Sequence, residues 1–210
     1  MIYGLYGNGG FGREVMPLIL DDLGFVGPQN AKEVMFVSDM APPSRECNGI
    51  AVVSFEEFCH AADKRFSVAV ADSKQRERLA TVCEDAGAVP FDVVARSAFI
   101  GPGVKIDVGH ILCHNTIVTT NAKIGRFFHA NIYSYVAHDC VVGDFVTLAP
   151  RASVNGNCTI EDLAYIGTGA VLRQGVRIGA GAVVGMGAVV TKDVPAGETW
   201  VGNPAKRMEK

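Results

Sequence analysis

From Ile100 to Pro195 the sequence keeps a period of six without one insertion. If each hexad starts at Ile100, Ile106, Leu112 and so on to Val190, fifteen of the sixteen first positions are Ile, Leu or Val. The fifth position is Val, Thr, Ala, Ser or Cys in fourteen hexads, with His110 and Phe128 the exceptions, and the fourth is Gly, Asn or Asp in eleven. A helix cannot use this period, because residues six apart on a helix do not share a face. A large apolar residue, a residue tolerant of left-handed backbone angles and a small residue, repeated every six, describe a short strand followed by a corner. Such units are unstable alone and acquire a core by stacking, so the pattern predicts a parallel β-helix.

Residues 2–95 follow other periods. IYGLYG reads as a strand, FGREVMPLILDDL as a helix interrupted near Pro17, EVMFVSD and SVAVAD as strands, and KQRERLATVCEDAG as a helix capped by Gly87. The expected organisation is a small parallel Rossmann-like βαβ domain over 1–95 and an all-β solenoid with a C-terminal tail over 96–210. The stretch 40–60, rich in Pro and polar residues, reads as loop.

The remaining composition narrows the function classes. With 49% hydrophobic and 20% charged residues, the 210-residue chain can fill a core in each half. A net charge of −3 with acids and bases interspersed offers no basic face for a nucleic acid backbone. No apolar run approaches the roughly 20 residues of a membrane span, and no basic segment precedes a hydrophobic run at the N-terminus, so a cytoplasmic location is expected. The six cysteines show neither CxxC pairs nor zinc-finger spacing and read as reduced thiols.

The hexads resemble those of the hexapeptide acyltransferases, whose left-handed β-helix packs three hexads into each triangular 18-residue coil. The resemblance implies a little over five coils here, a prism about 25 Å tall at roughly 4.8 Å per stacked strand. It also implies that residue n stacks on n ± 18, which sets His138 between Thr120 and Gly156. As the third residue of its hexad, His138 should point outward near a corner, beside the gap left by Gly156. A base next to an open slot and a backbone N–H suits acyl transfer, the imidazole taking the proton of an amine or hydroxyl and the N–H facing an oxyanion. A merely solvated surface histidine is the alternative, and Asp139 occupies a turn position that Asn121 and Asn157 fill one coil away, so turn chemistry alone accounts for it. As a partner, Asp139 could orient the imidazole and favour its protonated form.

Three blocks, YGNGGFGREV, VAHDCVVGDF and VGNPAKRM, extend the likeness over essentially the whole chain. They resemble the bacterial nucleotide-sugar N-acetyltransferases that modify 4-amino-4,6-dideoxy sugars for surface polysaccharides, and the related sialic-acid O-acetyltransferases. That resemblance implies His138 as base, Asp139 as its orienting acid, and a Gly156 amide near the thioester of acetyl-CoA. A family histidine nine residues after the base is Thr147 here. The resemblance further implies a homotrimer with active sites between subunits, Gly167, Thr168, Gly185 and Met186 along the pantetheine arm, and a nucleotide sugar held by Gly9, Gly10, Phe11, Ser38 and Asp39. Read on its own, GNGGFG fits GxGxxG after a strand and before a helix, a context that suits a phosphate, although such glycines also serve helix–strand packing alone. An acid about 20 residues on is missing; Asp39 is the nearest strand-end acid, and about 95 residues suit one nucleotide better than a dinucleotide.

Cys140 and Cys158 fall 18 apart in the small interior column and read as apolar filler rather than a disulfide. His110, His114 and His129 raise a metal site of the kind found in hexapeptide carbonic anhydrases, but His110 falls at an interior position and His114 on a different side of the prism from His138, so no metal is expected. Arg173, Arg177, Lys206 and Arg207 are candidates for the phosphates of CoA or for plain solvation. The expected activity is acetyl-CoA-dependent N-acetylation of a UDP- or dTDP-linked 4-amino-4,6-dideoxy sugar by direct attack, with sugar O-acetylation or non-catalytic nucleotide-sugar binding as alternatives.

Overall fold

The computed structural model describes residues 1–39 and 45–209, which form two compact units, Met1–Val94 and Ala95–Lys210. The first contains β1 (Ile2–Tyr6), α1 (Gly10–Asp22), β2 (Val34–Val37), β3 (Glu46–Cys47), β4 (Ile50–Val53), α2 (Phe55–Cys59), β5 (Lys64–Val68), α3 (Ser73–Asp85) and β6 (Val89–Pro90). Its sheet runs β3-β4-β2-β1-β5-β6, parallel throughout except for the β3–β4 hairpin. Leu5, Phe36, Val52, Phe66 and Val68 are buried in its core. The chain leaves β1 toward β2 on one side and returns to β5 on the other. The strand order therefore reverses at β1, and in open α/β sheets the crevice beyond the carboxyl ends of such strands is where ligands bind.

Local chemistry explains where this unit departs from expectation. Helix α1 runs through Pro17 without a break. Pro17 stands on the exposed side of the helix, where water can take the carbonyl that the missing N–H leaves unpaired. Strand β5 begins at Lys64, not Ser67, since the register with β1 pairs Ile2 with Lys64 and Tyr6 with Val68. Within the stretch read as loop, β4 pairs with β2, and α2 starts on a capping box in which Ser54 and Glu57 each accept the other's backbone N–H. Gly87 ends α3 as expected, at φ +73°.

The second unit is a left-handed β-helix. Sixteen two-residue strands, from Phe99–Ile100 to Val189–Val190, each end on the first position of a hexad. Each of the first thirteen lies parallel to the strand 18 residues on, as in the series Val118, Val136, Val154, Leu172. These three-strand circuits build three faces, and the first-position side chains fill the interior, with Val154, Ile166, Leu172 and Val184 fully buried. The fourth position has positive φ in fifteen of the sixteen hexads. Phe127, Tyr133, Phe145, Arg151 and Leu163 adopt it at φ +50° to +64° although nothing in their side chains favours it. The corner imposes the angle, and the rings of Phe127 and Phe145 recover contact by stacking with centroids 5.3 Å apart. No helix among the described residues is long and apolar enough to cross a membrane.

Candidate active site

Counting by eighteens places residues at the corner that carries His138. Asp139 N–H donates to Thr120 O at 3.1 Å and Asn157 N–H to His138 O at 2.9 Å, so Thr120, His138 and Gly156 form one outward column. The His138 side chain is 49% exposed. A methyl built on Gly156 would meet its Cε1 and Nε2 at 2.5 Å, which means that the imidazole lies over the glycine and occupies the room a side chain there would take. The Nδ1 of His138 is 2.8 Å from Asp139 Oδ2. That hydrogen bond, followed by one from Asn121, holds the Asp139 carboxyl below its ordinary value, so it is a carboxylate at neutral pH. With Nδ1 donating to a carboxylate, the lone pair of the neutral ring is on Nε2. The N–H of Gly156, at that corner, has no acceptor among the described residues.

Other residues meet here without having been assigned a role from sequence. Asn121 donates from Nδ2 to Asp139 Oδ1 at 3.2 Å. The Tyr135 hydroxyl donates to Asn155 Oδ1, and Asn155 Nδ2 donates to Leu172 O at 2.7 Å, which fixes the residue before Gly156. Stepping back eighteen from Asp139 finds Asn121; no spacing rule finds the Tyr135–Asn155 pair.

The remaining expected acetyl-CoA residues lie elsewhere in the coil. Thr168 and Met186 belong to a second corner column with Ile132 and Pro150, as the bonds from Arg151 N–H to Ile132 O, Gly169 N–H to Pro150 O and Gly187 N–H to Thr168 O establish. Gly167 and Gly185 precede that corner, each closely covered by the layer above, Gly167 by Val184 and Met186 and Gly185 by Val201. Thr147 is buried on the face between the other two corners, paired with His129 and Tyr165. Within one chain, therefore, only His138, Asp139 and Gly156 come together. Cys140 and Cys158 are free and buried, their thiols donating to Asn155 O and Arg173 O at 3.2 and 3.3 Å. His114 Nδ1 is 2.9 Å from Ser97 Oγ, and His110 Nδ1 2.9 Å from Asp107 O. Among the described residues no group of three or more His, Cys, Asp or Glu could hold a metal ion.

The glycine motif of the first unit divides by function. Gly7 takes φ +103°, and a methyl on Gly12 would collide with Gly7 O, so these two make the turn and the close approach of α1. Gly9 and Gly10 have nothing within 4 Å of a built methyl and are exposed. Gly9 caps α1 without a side chain, and no acid lies in the first turn, which also holds Phe11, to offset the positive end of the helix dipole. Ser38 N–H donates to Val53 O at 3.0 Å, and Asp39 accepts from the hydroxyl of Tyr6, a buried residue at the end of β1 with no role assigned from sequence beyond the strand. Burial, then the bond to Asp39, raises the Tyr6 pKa and keeps the hydroxyl protonated. Across the crevice, Arg76 is buried and donates from Nη1 to Val70 O at 2.7 Å and Ala71 O at 3.2 Å. Desolvation lowers its pKa to about 9, which leaves it a cation at neutral pH that fastens the β5–α3 loop against Gly7.

Comparison with known proteins agrees with this fold. Residues 157–192 match the model of the bacterial transferase hexapeptide (six repeats). GDP-perosamine N-acetyltransferase of Escherichia coli O157:H7 is 44% identical, over 100% of this chain and 97% of that protein. The structure of WeeI from Acinetobacter baumannii AYE superposes with a TM-score of 0.94 at 47% identity, covering 99% of this chain and 100% of that one. PerB from Caulobacter crescentus, solved in complex with CoA and GDP-perosamine, gives 0.88 at 26% identity, with 100% and 98% covered. A repeat that sets sixteen strands in register and a full-length relative of this similarity lead to one conclusion: the chain belongs to the hexapeptide-repeat acyltransferases, among the nucleotide-sugar N-acetyltransferases.

Proposed function

We propose that the protein transfers the acetyl group of acetyl-CoA to the amino group of a nucleotide-linked amino sugar, with His138 as general base. The observation that carries this reading is the half-exposed imidazole whose Nδ1 is engaged by Asp139 at 2.8 Å, leaving Nε2 free beside the Gly156 N–H. The neutral amine attacks the thioester carbonyl carbon, and a C–N bond forms as the carbonyl becomes an oxyanion facing the Gly156 N–H. Nε2 takes the proton from nitrogen, the C–S bond breaks, and the imidazolium returns a proton to the departing thiolate. No acyl-enzyme is required, since no Ser or Cys stands in the outward column of His138. A positioned base of this kind contributes about 10²–10⁴-fold.

Gly9, Gly10, Phe11, Ser38 and Asp39 hold the nucleotide in this scheme, the positive N-terminal end of α1 favouring the diphosphate. The names of the relatives favour a GDP-linked sugar such as GDP-perosamine over the UDP- or dTDP-linked sugars expected from sequence. A homotrimer is part of the proposal, because Thr147, Gly167, Thr168, Gly185 and Met186 lie away from the His138 corner of their own coil and reach a bound acetyl-CoA only from a neighbouring subunit. Apolar side chains exposed on the coil support it, with Ile117 at 42%, Tyr133 at 57%, Val141 at 48% and Val171 at 37%. The test is release of CoA thiol from acetyl-CoA in the presence of GDP-, UDP- and dTDP-linked amino sugars. Turnover is expected with GDP-perosamine and reduced at least 100-fold in His138→Ala; no thiol release with any amino sugar, or an unimpaired His138→Ala variant, overturns the proposal.

A further inference from the structure

The His138–Asp139 pair does not stand alone on its coil. Asn121, one circuit earlier, occupies the same fourth position as Asp139, and both take left-handed backbone angles, φ +54° and +59°. Its amide spans two layers. Below, a methyl built on Gly103 would meet Asn121 Oδ1 at 2.5 Å, so the glycine leaves the room into which that oxygen fits. Above, Nδ2 donates to Asp139 Oδ1 at 3.2 Å, while the other carboxylate oxygen, Oδ2, is the one that meets His138 Nδ1. The Asp139 carboxylate is thus held at both oxygens, and rotation about its terminal bond would break both contacts. Asp139 is half exposed and could otherwise turn to water. Left-handed geometry alone does not require an amide here, because Gly, Phe and Arg all adopt it elsewhere in this coil.

We propose that Asn121 is a positioning residue that locks the Asp139 carboxylate and, through it, the Nδ1–H tautomer of His138. The inference deepens the proposed function and rests on His138 being the base. The surroundings of the imidazole are simple: Thr120 and Asn121 on the coil below, Asp139 and the buried thiol of Cys140 on its own, and Gly156, Asn157 and the buried thiol of Cys158 above, with Asp139 the one charged group among them.

Three variants separate the outcomes. Asn121→Gly keeps the backbone angle and removes the amide. It should lower kcat about three- to ten-fold at unchanged KM for acetyl-CoA, and ¹⁵N spectra of the imidazole should show a loss of the Nδ1–H tautomer. Asn121→Asp sets a second carboxylate beside Asp139, which stabilises the imidazolium and should move the acid limb of the kcat/KM profile to higher pH. A residue that served only the turn would leave the tautomer populations of Asn121→Gly unchanged, whereas the Asn121→Asp shift follows from charge alone and checks that this position is within electrostatic reach of the imidazole. Wild-type tautomer populations in Asn121→Gly overturn the role of Asn121. His138→Ala, measured alongside, distinguishes the two levels: if it turns over normally, the base assignment itself falls, whereas an inactive His138→Ala beside a fully active Asn121→Gly refutes only the positioning role.

Discussion

Substituting Gly156 by Ala tests the site with one methyl group. The residue does not need glycine for its backbone angles, so the consequence is steric: the new carbon falls 2.5 Å from Cε1 and Nε2 of His138 and 3.0 Å from Nδ1. Ordinary contact requires roughly 3.5 Å, so the ring must move about 1 Å. That displacement stretches the 2.8 Å bond to Asp139 toward about 3.8 Å, beyond hydrogen-bonding range. A misplacement of about 1 Å in a reacting group costs about 10²-fold, or roughly 2.7 kcal/mol of transition-state stabilisation. The fold should survive, because the ring is half exposed and swings into water; Tm is expected to stay within about 3 °C of wild type. Single-turnover and steady-state rates of CoA thiol release measure the loss, and KM for the nucleotide sugar should be unchanged. On a His138→Ala background the added methyl should cost nothing further, since the group it displaces is gone. A Gly156→Ala enzyme with wild-type kcat, or a full additional loss in the double variant, would refute the claim that the placement of this imidazole sets the rate.

The glycine motif should respond unevenly: Gly12→Ala drives a methyl into Gly7 O and is expected to destabilise the first unit by about 1–3 kcal/mol or more in urea titrations, whereas Gly9→Ala meets nothing and should change stability by no more than about 0.5 kcal/mol. Tyr6→Phe removes the hydroxyl that holds Asp39; calorimetry should show weaker binding of the nucleotide sugar by several-fold with little change in Tm, and equal binding would remove Asp39 from the site. Glu161 accepts the Ala180 N–H and pairs with Arg177, which depresses its pKa below 4.5, the Ala180 bond being the larger cause. A depressed carboxylate contributes stability at neutral pH that is lost as pH falls from the ordinary value through the folded one. Glu161→Gln should therefore show a flatter fall in Tm below pH 4.5 than wild type, and parallel curves would contradict the assignment.

How far the sequence foretold this molecule depends on what each rule measures. The hexad period located all sixteen strands because a solenoid repeats one local solution, and any shift in register would expose a whole column of aliphatic side chains. Counting by eighteens then brought His138 to Gly156. Residue preference was weaker evidence than position: Phe127, Tyr133, Phe145, Arg151 and Leu163 turn corners that composition alone would not assign them. In the first unit, β5 was misplaced because Lys64 and Arg65 broke an apolar pattern that only the pairing with β1 restores. Tyr6 at the end of β1 meets Asp39 just beyond β2, and Arg76 in α3 folds back onto Val70 and Ala71 of the loop before it; no period within the chain brings either set together.

The same geometry bears on why the chemistry sits at one corner and not another. From Asn121 to Gly187 the fourth-position N–H joins the coil-to-coil ladder, while the third-position N–H, absent at Pro150, takes no part in it. At the corner of Arg126, Asp144 and Ala180 those spare donors are consumed, by Asp144 Oδ1 at 2.9 Å, Asp162 Oδ1 at 2.8 Å and Glu161 Oε2 at 2.8 Å. At Gly156 no carboxylate intervenes, and the layer below supplies an imidazole instead. A β-helix thus leaves amide donors outside the ladder at its corners wherever the third residue is not Pro, and the side chains around them decide whether a donor is spent on stability or kept for an incoming oxyanion. An acid introduced to accept the Gly156 N–H should accordingly suppress turnover even with His138 and Asp139 untouched: Gln174→Asp, one coil on from Gly156, tests this, and a variant that keeps full activity while its carboxylate is seen bonded to that N–H would sink the argument.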